Sequence, residues 1–276
     1  MPEIPLGSWI ESLVQFLLDH LDFVFNAISV GIGSLIGALE SLLKFLPYPI
    51  IIFIFAILGW RLVRRNVGIL VAFGFLLIVN LGLWEETMET LTLVIVATVI
   101  VVVAGLPLGI WAARNRKVQV VTNPLLDLMQ SMPAFVYLIP ALMFFGLGRV
   151  PGVMATVIFA MPPVIRLTTL GIQQVPAELI EAADAFGSTP RQKLYKVELP
   201  MALPTIMAGI NQAIMLSLSM VVISAMIGAK GLGAEVLRSI SRLDIGLGFE
   251  SGLAVVILAM SLDRITQALG QRHQSS

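Results

Sequence analysis

From residue 46 onward, long apolar blocks alternate with short polar breaks, near residues 46–60, 67–84, 91–113, 132–147, 152–174, 204–227 and 246–264. A helix crosses a bilayer core with about 20 apolar residues, so the pattern predicts seven spans. The first block is short, the fourth barely sufficient, and the last carries Glu250 near its start; tilt or local thinning absorbs such mismatch. Residues 7–44 follow another rhythm. Glu11, Gln15, Asp19, Asp22, Asn26, Ser29, Gly33, Gly37, Glu40 and Lys44 recur every three or four positions, with Trp9, Leu13, Phe16, Leu17, Phe23 and Ile28 between them. One polar stripe on an otherwise apolar helix predicts an amphipathic helix lying in the membrane-surface plane. The competing arrangement has residues 23–39 span the bilayer between Asp22 and Glu40.

Between Pro176 and Pro200 the pattern breaks. Seven charges fall there: Glu178, Glu181, Asp184, Arg191, Lys193, Lys196 and Glu198. Pro176 suits a first helical turn, and Glu178 is favoured beside the positive helix N-terminus. Leu179, Ile180, Ala183 and Phe186 recur at helical spacing until Gly187 stops the helix. Thr189 caps the next helix, with Pro190 at its first position and Gln192 completing a capping box. Pro200 is expected to end it. The result is a helix–glycine–cap–helix knuckle with an apolar ridge. A solvated connection would not need that ridge, so the knuckle reads as a docking knob for a soluble partner.

Composition agrees with a membrane protein: 58% of the 276 residues are hydrophobic and only 12% charged, about half the charge of a soluble domain. Cysteine is absent, which excludes disulfides and thiolate metal sites, and the formal net charge is zero, so nothing draws nucleic acid. The first thirty residues lack the basic start and cleavage site of a signal peptide and are expected to remain in the mature chain. Charge also orients the spans. With the amino terminus outside, 12 of the 17 Lys and Arg fall on the inner side and five (Lys44, Arg149, Lys230, Arg238, Arg242) on the outer. The positive-inside rule then places the knuckle and the carboxyl terminus in the cytosol.

Enzyme chemistry finds no foothold. His20 and His273 are far apart, no His/Asp/Glu cluster has ligand spacing, and no nucleophile elbow occurs. The phosphate loop is also missing, because Gly187 to Lys193 lacks a second glycine. The chain is expected to be no enzyme, to hold no metal or cofactor, and to draw any ATP energy from a partner. Gly228, Gly231 and Gly233 form a flexible turn predicted on the outer side. A helix over residues 234–243 follows, with Val236, Leu237, Ile240 and Leu243 on one face and Arg238 and Arg242 on another; it is an interfacial helix, or a gate support and landing site. In the sixth span, Asn211, Ser217 and Ser224 either line a water-filled path or pack helices together. Asp127 and Arg166, and the adjacent Asp263 and Arg264, are each an ion pair or separate reaches to the interface. Trp60, Trp84 and Trp111 sit at predicted span ends and Trp9 on the first helix, so they offer no aromatic cage for a quaternary ammonium.

Glu181-Ala182-Ala183, then Gly187 after three residues, Val197 after nine more, and Leu199-Pro200 resemble the cytoplasmic loop signature of bacterial ATP-binding-cassette (ABC) importer permeases; Val197 stands where isoleucine is usual. Gln130–Pro140, Met161–Arg166 and Ile227–Gly233 resemble the glycine betaine/proline compatible-solute branch. The resemblance covers roughly residues 87–267. It implies an all-α membrane protein of the type I ABC importer permease (MetI-like) fold, with residues 1–45 as the membrane-surface helical region. Residues 46–86 would be two accessory spans, 87–267 the permease core and 268–276 a cytoplasmic tail.

It further implies that Glu181, Ala182, Ala183, Gly187, Val197, Leu199 and Pro200 couple to an ATPase, and that the Gly228–Gly233 turn with Arg238 and Arg242 gates or docks on the outer side. The implied partners are a second copy of the chain, two ATPase subunits holding ATP and magnesium, an extracellular solute-binding protein and the lipid of the bacterial plasma membrane. Three rivals remain: the same architecture carrying choline, carnitine, an amino acid or a sulfonate; a stand-alone ion-coupled carrier, which would show inverted repeats and broken ion sites; and a scaffold without transport.

Overall fold

The computed structural model describes residues 5–272, and among them the protein is helical throughout. In chain order the helices are α1 (Leu6–Phe45), α2 (Tyr48–Leu58), α3 (Arg65–Asn80), α4 (Trp84–Arg114), α5 (Arg116–Ser131), α6 (Leu138–Phe145), α7 (Arg149–Gln173), α8 (Ala177–Ala185), α9 (Pro190–Lys193), α10 (Leu199–Ala225), α11 (Leu232–Arg242) and α12 (Ile245–Arg272). Wider π turns, Gly59–Val63 and Leu194–Glu198, close α2 and join α9 to α10. His273 and the rest of the predicted tail, 273–276, lie outside the described residues; 268–272 are the last turns of α12.

Seven spans become five long apolar helices among the described residues, α1, α4, α7, α12 and the joined α9–α10, or six if the bent α5–α6 pair counts as one. The runs at 91–113, 152–174, 204–227 and 246–264 are long helices. Those at 46–60 and 67–84 are shorter apolar helices, Tyr48–Val63 and Arg65–Asn80. The run at 132–147 is one arm of a pair bent by 109°. Pro133 is the cause: a proline forces its predecessor out of helical geometry, and Met132 sits at φ −75°, ψ 137°. Tyr137 Oη donates to the Met129 carbonyl across the break.

The centre is the packing of α4, α7 and α10. Small residues let these backbones close up, as in membrane bundles where lipid offers no hydrophobic drive. Gly109 lies against Thr168 and the Ile165 carbonyl, Gly209 against the Pro163 carbonyl, and Gly152 against Ser224; Thr169 donates to the Gly109 carbonyl at 3.0 Å. On one flank Phe75, Ile78, Met88, Leu91 and Leu258 bind α3 and α12 to α4. On the other, Ile32 and Ile36 of α1 pack on Leu93, Ala97 and Val153.

The polar stripe of α1 has an unexpected orientation in its second half. Gly33 meets Val150, and Glu40 and Lys44 enter a four-charge cluster. Glu40 pairs with Arg149, and Lys44 bridges Glu40 and Glu89 at 2.9 Å each. Val30, Leu35 and Leu42 face outward instead. There the stripe docks α1 on the bundle. Arg149→Met should loosen it, since two carboxylates would then share Lys44 alone, and losing a charge-assisted hydrogen bond costs about 1–3 kcal/mol. The expected result is faster protease cutting within α1; cutting at the native rate would show that the apolar contacts suffice.

Candidate coupling site and the polar clusters around it

The knuckle's turn and cap are closed by its own residues. α8 starts at Ala177, one residue after Pro176, and ends in paired bonds that close a left-handed turn. Ser188 N–H donates to the Ala183 carbonyl at 3.0 Å and Gly187 N–H to the Asp184 carbonyl at 2.9 Å, with Gly187 at φ +73°. That is a Schellman closure, which glycine adopts without a Cβ penalty. The expected capping box is present: Thr189 Oγ1 accepts from Gln192 N–H at 3.3 Å, and Thr189 N–H donates to Gln192 Oε1 at 2.8 Å. Lys193 ties the arms together through Asp184 at 2.7 Å. Ala183 and Leu194 are buried between the arms. Glu181, Ala182 and Phe186 face outward, Phe186 being 91% exposed. Glu181 caps no neighbouring helix.

Pro200 does not end the second helix. The chain from Pro190 to Ala225 is one long helical element, and the π turn at Leu194–Glu198 precedes Pro200, which occupies the first turn of α10. A proline lacks the N–H that a preceding α-turn would use. The wider turn absorbs that loss. Val197 and Leu199 are half-buried, and Pro200 is exposed.

A second feature joins residues that no local pattern connects. Arg114, at the last turn of α4, grips Glu198: Nη2 donates to Oε2 at 2.9 Å and Oε1 at 3.0 Å, and Nε to Oε2 at 3.3 Å. Nη2 also donates to the Pro190 carbonyl at 3.0 Å. The residues are far apart in the chain, and pattern reading has no signal for such a pair. Arg166 and Asp127 also pair, joining α7 to α5. Asp263 does not pair with Arg264. It accepts from Asn211 Nδ2 at 2.8 Å and Gln267 Nε2 at 2.7 Å, and Thr266 donates to Asn211.

Among the path candidates, Asn211 opens onto a cleft of about 380 Å³ lined also by Met207, Thr266 and Gln267. Ser217 and Ser224 are buried where α10 meets α7, beside a void of about 10 Å³, at the lower limit for one water. The structure thus separates the three.

At the opposite end of the bundle, the Gly228–Gly233 turn is pinned. Gly228 and Gly231 have φ +92° and +104°. Leu232 N–H donates to Thr90 Oγ1 at 2.8 Å, and Gly148 N–H to the Ile227 carbonyl at 2.9 Å. Gly233 rests on the Val221 carbonyl. The turn expected to be flexible is clamped to α4, α10 and the α6–α7 connection. Arg238 pairs with buried Glu235 at 2.7 Å, and Arg242 is exposed.

Residues 105–274 match the family described as the binding-protein-dependent transport system inner membrane component. The chain belongs to that family. The permease is 50% identical to the glycine betaine transport system permease protein OpuAB of Bacillus subtilis (strain 168), over 100% of this chain and 98% of the relative. It is 49% identical to the glycine betaine/proline betaine transport system permease protein ProW of Escherichia coli (strain K12), over 99% and 77%. With the glycine betaine/carnitine transport permease protein GbuB of Listeria monocytogenes serotype 1/2a (strain 10403S), identity is 52% over 100% and 99%. Similarity therefore runs through the first 85 residues, where the motifs showed little. An inward-facing MetNI methionine ABC transporter shares the fold, with a TM-score of 0.62 at 22% identity over 67% of the permease and 93% of that chain.

The expected all-α type I fold and the ABC importer family of the glycine betaine branch are borne out. The permease is a multi-pass plasma-membrane transport subunit, of a kind that works with an ATPase and a solute-binding protein.

Proposed function

We propose that the permease carries glycine betaine and proline-type compatible solutes into the cell, as a homodimer with the knuckle in the cytosol. Each knuckle sits in a cleft of an ATPase subunit holding ATP and magnesium, and closure of the ATPases rocks α7 and α10 between inward- and outward-facing states. One knuckle per chain and two ATPase subunits fit a two-fold arrangement. The observation that carries this reading is Phe186, 91% exposed at the tip of a turn whose own capping bonds are satisfied internally. A large aromatic presented on a capped backbone turn suits the anchor of a binding surface.

The 12-to-five distribution of Lys and Arg supports the cytosolic side, and the relatives' names support the solute. Glu181 and Ala182 share the exposed face of the knuckle, while Ala183, Gly187, Val197, Leu199 and Pro200 shape it. Gly228, Gly231, Gly233, Arg238 and Arg242 brace the outer gate and meet the solute-binding protein, and Asn211 lines the inner mouth of the path. The first half of α1, where Trp9, Leu13, Phe16 and Phe23 are exposed, lies on the membrane surface. A helix of 40 residues is about 60 Å long, twice the hydrocarbon thickness.

The test is reconstitution of the permease with its ATPase and binding protein in vesicles containing ATP. Radiolabelled glycine betaine should enter, and choline and carnitine should be poorer substrates. Phe186→Ala should weaken ATPase co-purification about thirtyfold, from losing about 2 kcal/mol at an anchor. Native ATPase binding by that variant would refute the docking role, and uptake without ATP would refute the importer.

A further inference from the structure

Two helices are tied covalently to the knuckle, α7 through α8 and α10 through α9; α4 has no such link. We infer that Arg114 supplies it, as a positioning residue that makes α4 a third arm of the lever driven by the ATPase. The inference rests on the docking role proposed for the knuckle.

The geometry is specific. Arg114 grips two points, the Pro190 carbonyl at the start of α9 and the Glu198 carboxylate at the end of the π turn. These points bracket Leu194–Glu198, the wide turn ahead of Pro200. A π turn inside a helix is a common place for a kink and recurs at functional sites. Held only at its ends, such a turn bends and absorbs a push delivered at Phe186. With both ends fixed to one guanidinium, the stretch from Pro190 to Glu198 keeps its length and moves with α4 as a unit. The fork suits the task, since a planar guanidinium bonds a carboxylate at two oxygens and still has a donor for a carbonyl. The Glu198 side chain is 11% exposed and that of Arg114 33%, so the pair is less screened by salt than one on an open surface. Glu198 lies one residue past Val197, inside the segment that gave the loop signature, yet its partner is 84 residues earlier.

The test uses the reconstituted complex of permease, ATPase and binding protein, with Arg114→Gln, Glu198→Gln, Arg114→Lys and the exchange Arg114→Glu/Glu198→Arg. Three quantities are read: the ratio of ATPase to permease after purification, glycine betaine taken up, and ATP hydrolysed per glycine betaine. The two glutamine variants should retain the ATPase while uptake falls at least tenfold and ATP per solute rises at least fivefold. Arg114→Lys, a point charge unable to hold both partners, should fall between. The exchange restores the ion pair but puts a carboxylate, which cannot donate, beside the Pro190 carbonyl, so it should stay within threefold of the glutamine variants.

An unchanged ATP-to-solute ratio in the glutamine variants would overturn the lever while leaving the docking role intact. So would loss of the ATPase from them, which would make the pair a mere support for the knuckle's fold, and so would native uptake by the exchange, which would show that the ion pair alone suffices without the bond to Pro190. If Phe186→Ala binds the ATPase normally, the docking role fails and the lever fails with it.

Discussion

Gly187→Val should abolish glycine betaine uptake while the chain still inserts in the membrane at native levels. Nothing lies within 4 Å of a Cβ built at Gly187, so crowding inside the chain is not the cause. The backbone is: at φ +73° an L-residue costs about 1–2 kcal/mol, and a β-branched side chain tolerates that region worst. The turn relieves the strain by rotating out of the left-handed well. That breaks the Ser188–Ala183 bond and swings Phe186 away from its position. Folding of the spans is untouched, since the knuckle is a local structure with its own caps. Gly187→Asn is the control, because asparagine accepts the left-handed conformation at helix ends and should keep most of the ATPase binding. Uptake by the valine variant above a tenth of native would mean that the turn need not hold its shape.

Gly233→Ala should destabilise the whole bundle, measured as a lower thermal midpoint of the purified permease in detergent. The added methyl overlaps the Val221 carbonyl on α10, a backbone atom that cannot rotate aside. Overpacking of this kind costs about 1–3 kcal/mol and sometimes more, and a clash with backbone belongs at the upper end. α11 would have to lift from α10, pulling on the Leu232–Thr90 bond that anchors the turn to α4. Gly252→Ala makes the comparison: nothing lies within 4 Å of its Cβ, and alanine favours a helix by about 1 kcal/mol over glycine. Equal midpoints for the two variants would contradict the tight seat assigned to Gly233.

The two sites were legible to very different degrees. The knuckle could be read almost residue by residue, since its capping box, left-handed glycine and helical ridge all arise from neighbours within five positions. Pro200 departs from the local expectation for a related reason. A proline ends a helix in local terms, but long apolar packing beyond it favours continuing, and the π turn reconciles the two. The Gly228–Gly233 turn was read as mobile because glycines permit motion; here they permit close approach to Thr90, Val221 and Gly148. Asp263 sits beside Arg264 in the chain, but successive positions on a helix point about 100° apart, so it bonds across to Asn211 instead.

Read alone, the sequence established a helical membrane chain, the knuckle and its family. Those properties follow from composition and from spacings of one to five residues, which the backbone's own geometry converts into turns and caps. Only the tertiary structure decided that α1 turns its later polar stripe inward, that the run at 132–147 is half of a bent pair, that Ser217 and Ser224 are buried between helices, and that Arg114 holds the knuckle. Each depends on groups brought together from distant parts of the chain, where the shape of the packed bundle, rather than any local preference, selects the partner.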